Sequence, residues 1–244
     1  ERYWTKRKDW LLKPSEMAED AFWLAFAGVL WIPLYSDFYE TPISEGIRAI
    51  RDMTPLSISM APESLLGLVG AALSVMIISS FVYYWLHRVQ HESQFWWRLH
   101  ATHHHITKMG CMRGDRTHPL EYLALALGTP IALALLGASD HVMAVAGAFG
   151  IWNGILNHSN LPLKPMPLYD WLFATAQQHH VHHAHERRQS DSNYGCNIIL
   201  WDRLFGTYCG DTKVGQIGAG KAVPLSIKQQ LAMPFYSKEK LFDL

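Results

Sequence analysis

The sequence lacks a cysteine framework: Cys111, Cys196 and Cys209 are its only cysteines, with no CxxC pair and no even-numbered set. That argues against a disulfide scaffold or a zinc ribbon and reads as reduced or buried thiols. It also lacks net charge, 21 Lys and Arg balancing 21 Asp and Glu, so no global field speaks for nucleic acid. Internal repeats and low-complexity stretches are missing. The first residues, Glu1-Arg2-Tyr3-Trp4, show neither an initiator methionine nor a signal-peptide pattern, which implies a start inside a longer chain. Most informative is the local absence of charge. The mean hydropathy is close to zero, but it averages long uncharged apolar runs with polar stretches rich in histidine.

Four such runs predict membrane spans at about 21–38, 64–86, 119–139 and 141–157. The second has no charged residue and is long enough for ~30 Å of hydrocarbon at 1.5 Å per residue. The third and fourth are separated only by Asp140, which predicts a helical hairpin returning to one side. The bland reading is a set of buried helices in a soluble protein, which an uncharged run of this length disfavours. Gly150 and Gly154 form a GxxxG, read as helix packing. Arg2, Lys6, Arg7, Lys8 and Lys13 precede the first run, and Arg88, Arg98, Lys108, Arg113 and Arg116 follow the second. Between the first two runs, Arg48 and Arg51 stand among Asp37, Glu40, Glu45, Asp52 and Glu63. The positive-inside rule then places the N-terminus, 87–118 and the C-terminal part in the cytoplasm. The expected fold is an all-α integral membrane protein. Its single domain has four transmembrane helices, a cytoplasmic histidine-rich helical cap (87–118 and 158–210) and a tail (211–244).

The chain holds 14 histidines, and their spacing is ordered. His87 and His91 are four apart; His100, His103 and His104 follow; His179, His182 and His183 come after the last run. On a helix, positions i, i+3 and i+4 share a face, so each cluster offers convergent imidazoles. Adjacent histidines diverge by roughly 100°, so a doubled His-His suits two neighbouring ions. His158 ends the fourth run on the same side and is a ninth candidate. His105, His180, His185 and His141 are read as bystanders, His180 pointing away from its cluster and His141 sitting at the opposite face.

Imidazole suits zinc, copper, iron and nickel alike. A zinc peptidase would show HExxH, but His91 is followed by Glu92-Ser93-Gln94-Phe95. Carboxylate-bridged bundles need Glu-x-x-His pairs, which are missing. An all-nitrogen dimetal site at a membrane surface remains, better suited to redox chemistry on a lipid than to hydrolysis. Two rivals use the same histidines: a membrane metal transporter or sensor, which needs ionisable residues within its spans, and a zinc-dependent membrane hydrolase. Gly215-Gln216-Ile217-Gly218-Ala219-Gly220-Lys221 matches GxxxxGK, but Ala222 follows and no strand precedes, so it reads as a flexible loop.

His87-x3-His91, His100-x2-His103-His104 and His179-x2-His182-His183 stand upstream of Asn193-Tyr194-Gly195 and Trp201-Asp202-Arg203-Leu204-Phe205-Gly206-Thr207-Tyr208. Together with His118-Pro119-Leu120-Glu121, these motifs resemble the fatty acid hydroxylase/sterol desaturase superfamily over roughly residues 64–210. The resemblance implies a membrane di-iron oxygenase that hydroxylates or desaturates fatty acyl chains, sterols, sphingolipids, alkylglycerols or carotenoids with O2. It implies two iron ions, with zinc as a possible substitute, held by His87, His91, His100, His103, His104, His158, His179, His182 and His183. Some branches carry two histidines near the end of the last span, where this chain has Asn153 and Asn157 before His158. Asn193 and Tyr194 read either as a turn or as hydrogen-bond partners of ligands. Asp202 reads as orienting a ligand or pairing with an arginine, and Glu121 as serving a helix dipole. Phe81, Tyr83, Tyr84, Trp85, Trp96, Trp97 and Trp152 read as a lipid access route or, for most, an interfacial belt. No dinucleotide fingerprint or b-type haem domain is evident, so electrons are expected from a separate b-type cytochrome or a ferredoxin with its reductase.

Overall fold

The computed structural model describes residues 1–55, 59–125 and 127–244. Among these the chain is helix and loop with no β-strand, only isolated bridges. Helix α1, Pro14–Asp52, contains two π-helical stretches, Phe26–Trp31 and Ser36–Glu40. Each stretch ends just before a proline, Pro33 or Pro42. A proline inside a helix removes one hydrogen bond and crowds the preceding turn, and the widened turns let the helix pass both. The expected span 21–38 is therefore the middle of a longer helix, and the residues about Arg48 and Arg51, read as a connecting segment, are helical.

Helix α2, Leu65–Glu92, begins where the Ser64 side chain accepts from the Gly67 amide at 3.1 Å, a side-chain cap for an otherwise unpaired donor. It ends in His87 and His91. After Ser93, helix α3 (Gln94–His104) carries the second cluster. Helix α4, Gly128–Leu136, and helix α5, Asp140–His158, follow one another across a three-residue connection. The turn between them uses Gly137 at φ 59° and pairs with Met60 by two backbone hydrogen bonds. Helix α6, Ala176–His182, opens on a Thr175/Gln178 capping box, and helix α7 is Leu200–Phe205.

Two of the four expected spans, within α1 and α2, are helices long and apolar enough to cross a membrane. The third, 119–139, is not one helix: it divides into short turns at Pro119–Glu121 and Tyr122–Leu125 before α4. The fourth is one 19-residue helix, α5, interrupted at its C-terminal end by the inward-facing Asn153, Asn157 and His158. α4 and α5 are joined by a short turn, and both pack against α2. Small residues let the helices approach: Ala71, Ala72, Val75, Ala132, Val142 and Ala146 share one core. A Cβ at Gly128 would stand 2.5 Å from the Ser79 carbonyl of α2. The GxxxG is no helix contact, since a Cβ at Gly154 would meet nothing within 4 Å. The histidine clusters at the end of α2, on α3, at the end of α5 and on α6 come together in space. His141 lies at the other end of α5, as expected.

Candidate dimetal centre

Helical spacing divides the nine candidate histidines into two buried groups. His87, His91, His100, His104 and His182 form one; His103, His158, His179 and His183 form the other. Within each group one ligand atom per ring lies within 4.8 Å of every other. The i,i+4 pairs His87/His91, His100/His104 and His179/His183 each stay in one group. The intervening His103 and His182 turn about the helix into the other, as expected of doubled histidines. His158, at the end of α5, joins the smaller group.

In the larger group, Nε2 of His87 is 2.9 Å from His100 Nε2 and 3.1 Å from His182 Nε2, which is 3.1 Å from His104 Nε2. In the smaller, His158 Nε2 is 3.2 Å from His103 Nε2 and 2.9 Å from His179 Nε2, and His179 Nε2 is 3.1 Å from His183 Nε2. The far ring nitrogens decide what these short distances mean. His87 Nδ1 donates to the Tyr194 carbonyl and His182 Nδ1 to the Ser192 carbonyl, both at 2.7 Å. His158 Nδ1 donates to the Gly154 carbonyl at 2.9 Å, and His100 Nδ1 is hydrogen-bonded with Glu121 Oε1 at 2.5 Å. A neutral ring that donates through Nδ1 has a bare lone pair on Nε2. The Nε2 lone pairs of His87 and His182 thus face each other with no proton between them. A shared cation resolves that repulsion.

The spacing fits as well. With metal–imidazole bonds of ~2.1 Å, ligands at right angles stand ~3.0 Å apart and tetrahedral ones ~3.4 Å. The observed 2.9–3.2 Å edges lie at the separation expected of ligands to one ion. His91 Nε2, buried and without a hydrogen-bond partner, is a further free donor. Burial, reinforced by the neighbouring rings, holds His100, His103, His104, His179, His182 and His183 below the ordinary histidine value. They are therefore neutral, the form that binds metal.

Other elements hold these rings. Asp202 accepts from the amides of Tyr194 and Gly195 at 2.8 and 2.7 Å and from the Thr207 hydroxyl at 2.7 Å. It fixes the loop whose carbonyl orients His87, and it touches neither a ligand nor an arginine. Asn193, at φ 53°, donates to the carbonyls of Gln178 and Cys209 and accepts from the Cys209 amide. Asn153 and Asn157 donate to the Cys196 carbonyl through their side-chain amides, and Asn157 Oδ1 is buried without a partner. Glu121 was read as a dipole residue but bonds a candidate ligand; a His-Pro-x-Glu next to the second cluster was the available signal. Tyr84 is fully buried and serves neither a belt nor an access route, whereas Trp97 packs 5.2 Å from His91.

Of the bystanders, His180 packs edge-on against Trp10 at 5.1 Å and His185 donates to the Gly218 carbonyl. His105 is buried outside both groups. The 215–221 segment is not the free loop expected: the Gly218 amide donates to the His183 carbonyl and the Ala219 amide to that of His104. It closes over the ends of α3 and α6. A cavity of about 350 Å³, lined by His91, His104, Trp97, Arg187, Asp191 and Leu241 among others, reaches the larger group.

Ornithine lipid hydroxylase OlsE of Rhizobium tropici is 35% identical over 166 residues, covering 67% of this chain and 50% of that protein. Alkylglycerol monooxygenase of Xenopus tropicalis is 33% identical over 129 residues (52% of this chain, 28% of that one). Methylsterol monooxygenase 1 of Rattus norvegicus is 30% identical over 139 residues (55% and 45%). The chain thus spans half or less of the length of these relatives. No solved structure matches it. Residues 72–207, more than half of the sequence and the segment that holds all nine histidines, match the fatty acid hydroxylase family, and the chain belongs to it.

Proposed function

We propose that this chain is a membrane-embedded, O2-dependent lipid hydroxylase or desaturase whose nine histidines hold two iron ions. The observation that carries the reading is the gathering of nine buried histidines into two groups, in the larger of which bare Nε2 lone pairs face each other as a cation would require. One ion would be held by His87, His91, His100, His104 and His182, the other by His103, His158, His179 and His183. Bound there, iron supplies the activation of dioxygen toward an unactivated C–H bond; the organic difficulty belongs to the metal. The chain's part is to keep its imidazoles neutral, fix their tautomers through Tyr194, Ser192, Gly154 and Glu121, and exclude water by burial. The names of the relatives, all hydroxylases or monooxygenases, disfavour a transporter or sensor.

The substrate we infer is a membrane lipid: a fatty acyl, sterol, sphingolipid or alkylglycerol compound. Val29, Phe38, Leu65 and Leu66 are 77–84% exposed on α1 and α2. Outward apolar side chains on helices of this length fit a hydrocarbon solvent. In this reading α1, α2, α4 and α5 are embedded, and the histidine end faces the cytoplasm of an endoplasmic reticulum or bacterial inner membrane. Electrons come from an external donor, a b-type cytochrome or a ferredoxin with its reductase.

The test is to purify the protein, quantify metal, and follow O2-dependent product formation over a lipid panel with a reducing system. Close to two irons per chain and an oxidised lipid are expected. One zinc, no oxygen uptake and hydrolytic turnover would overturn the reading.

A further inference from the structure

The two histidine groups differ in what stands behind their rings. In the larger group, His100 Nδ1 is hydrogen-bonded with the Glu121 carboxyl, and His87 and His182 donate to backbone carbonyls. Asp191 lies 3.6 Å from His91 Nδ1, beyond hydrogen-bond range but close enough to act as a charge. In the smaller group only His158 shows such a bond, to a carbonyl, while Nδ1 of His103 and His183 is buried without a partner. One group has a carboxylate directly behind a ligand and the other has none.

Glu121 is itself out of place for a structural acid. It is 1% exposed, and its second oxygen, Oε2, is buried with no hydrogen-bond partner. His100, a neutral ring in its metal-free form, is the basic side chain in contact with it. Burying a carboxylate without a compensating charge is costly, and the compensation here lies one imidazole away, where a divalent ion would sit. A carboxylate behind a ligand histidine fixes its tautomer and raises its basicity, and losing such a partner typically lowers metal affinity 10–100-fold.

Resting on the dimetal reading above, we propose that Glu121 is a positioning residue that makes the two metal sites unequal, so that the five-histidine site fills first and binds more tightly. The carboxylate acts through His100 alone and touches no other ligand.

The test uses the full chain in detergent, stripped with a chelator under anaerobic conditions and titrated with Co2+, whose visible spectrum reports each site. Wild type is expected to bind two equivalents in two resolved steps. Glu121→Gln keeps an oxygen acceptor for His100 Nδ1 but loses the charge. It should weaken the first step about 10–100-fold, change that step's spectrum and leave the second step in place; Glu121→Ala should weaken it further. A merely structural role would lower Tm without altering one cobalt spectrum selectively. Glu121→Gln binding like wild type, or weakening both steps alike, overturns the inference while the dimetal reading stands. A wild type that binds no cobalt overturns both.

Discussion

Removing the Asp202 carboxylate tests how the centre is held by residues that never touch it. Asp202 is fully buried, and its oxygens receive the Tyr194 and Gly195 amides and the Thr207 hydroxyl. In Asp202→Ala the hydroxyl keeps a partner, because Tyr84 Oη lies 2.9 Å away. The two amides are left unpaired in the interior, at ~1–3 kcal/mol each, so the loss is about 4 kcal/mol. For a chain of this size each kcal/mol moves Tm by ~2–4 °C, which gives a fall of about 8–16 °C. The Tyr194 carbonyl is also released, and with it the bond that orients His87, so the five-histidine site should lose metal. Thermal unfolding of the detergent-solubilised protein, with metal analysis alongside, measures both effects. Gly195→Ala should reproduce them, since its Cβ would stand 2.3 Å from the Ile198 carbonyl and 2.8 Å from Asp202 Oδ2. An Asp202→Ala protein that melts within 2 °C of wild type and keeps its metal would refute the clamp.

Three further outcomes follow from the same geometry. His182→Ala should lose the ion of the five-histidine site and His179→Ala that of the four-histidine site, each leaving about one iron per chain by elemental analysis and abolishing turnover. Gly114→Ala places a Cβ 3.0 Å from His158 Nδ1 and 3.3 Å from its Cε1; iron in the four-histidine site should fall with little change in Tm, and full occupancy contradicts the contact. The metal-free protein should be acid-labile: with folded-state values held below the ordinary ~6.5, the unfolded chain binds more protons below that pH. Stability is then full above about 6.5 and falls as pH drops toward the folded values, by up to ~1.4 kcal/mol per unit for each such histidine. A chelated protein with the same Tm at pH 7.5 and 5.5 would show that the rings are not held neutral.

The histidine groups were legible because their information is local. Spacings of three and four residues fix which rings converge, and adjacency fixes which diverge, so the division into five and four needs only a helix. His158 needed the tertiary arrangement as well, since it reaches the others only when the end of α5 is brought to them. What stayed hidden depends on chain separated in sequence. The bond from Glu121 to His100 spans 21 residues and the packing of 215–221 on α3 and α6 spans far more. The end of α1 was misjudged for another reason. Its charges suggested a connecting segment, but Ile43, Ile47 and Ile50 recur at helical spacing, and this part of the helix packs against α4. The division of 119–139 has no comparable signal, because its apolar residues suit one long helix or several short ones equally.

The distribution of polarity joins the fold to the proposed chemistry. A water-soluble domain buries leucine and exposes charge, whereas here Leu65, Leu66 and Val29 face outward at one end. At the other end the interior holds nine imidazoles, Glu121, Asp202 and the Asp20–Arg113–Arg116 ion group. A soluble protein would gain nothing from either choice. In a bilayer the first costs nothing, since lipid tails are as apolar as leucine. The second is the condition for metal chemistry beside a hydrocarbon phase: the charged ions must be enclosed, and every group that holds them must be fixed from behind. Asp20 is the joint between the two regions. It sits in α1 and bonds Arg113 and Arg116; these flank Gly114, which packs against His158. Helix α1 thereby bears on the position of a candidate ligand.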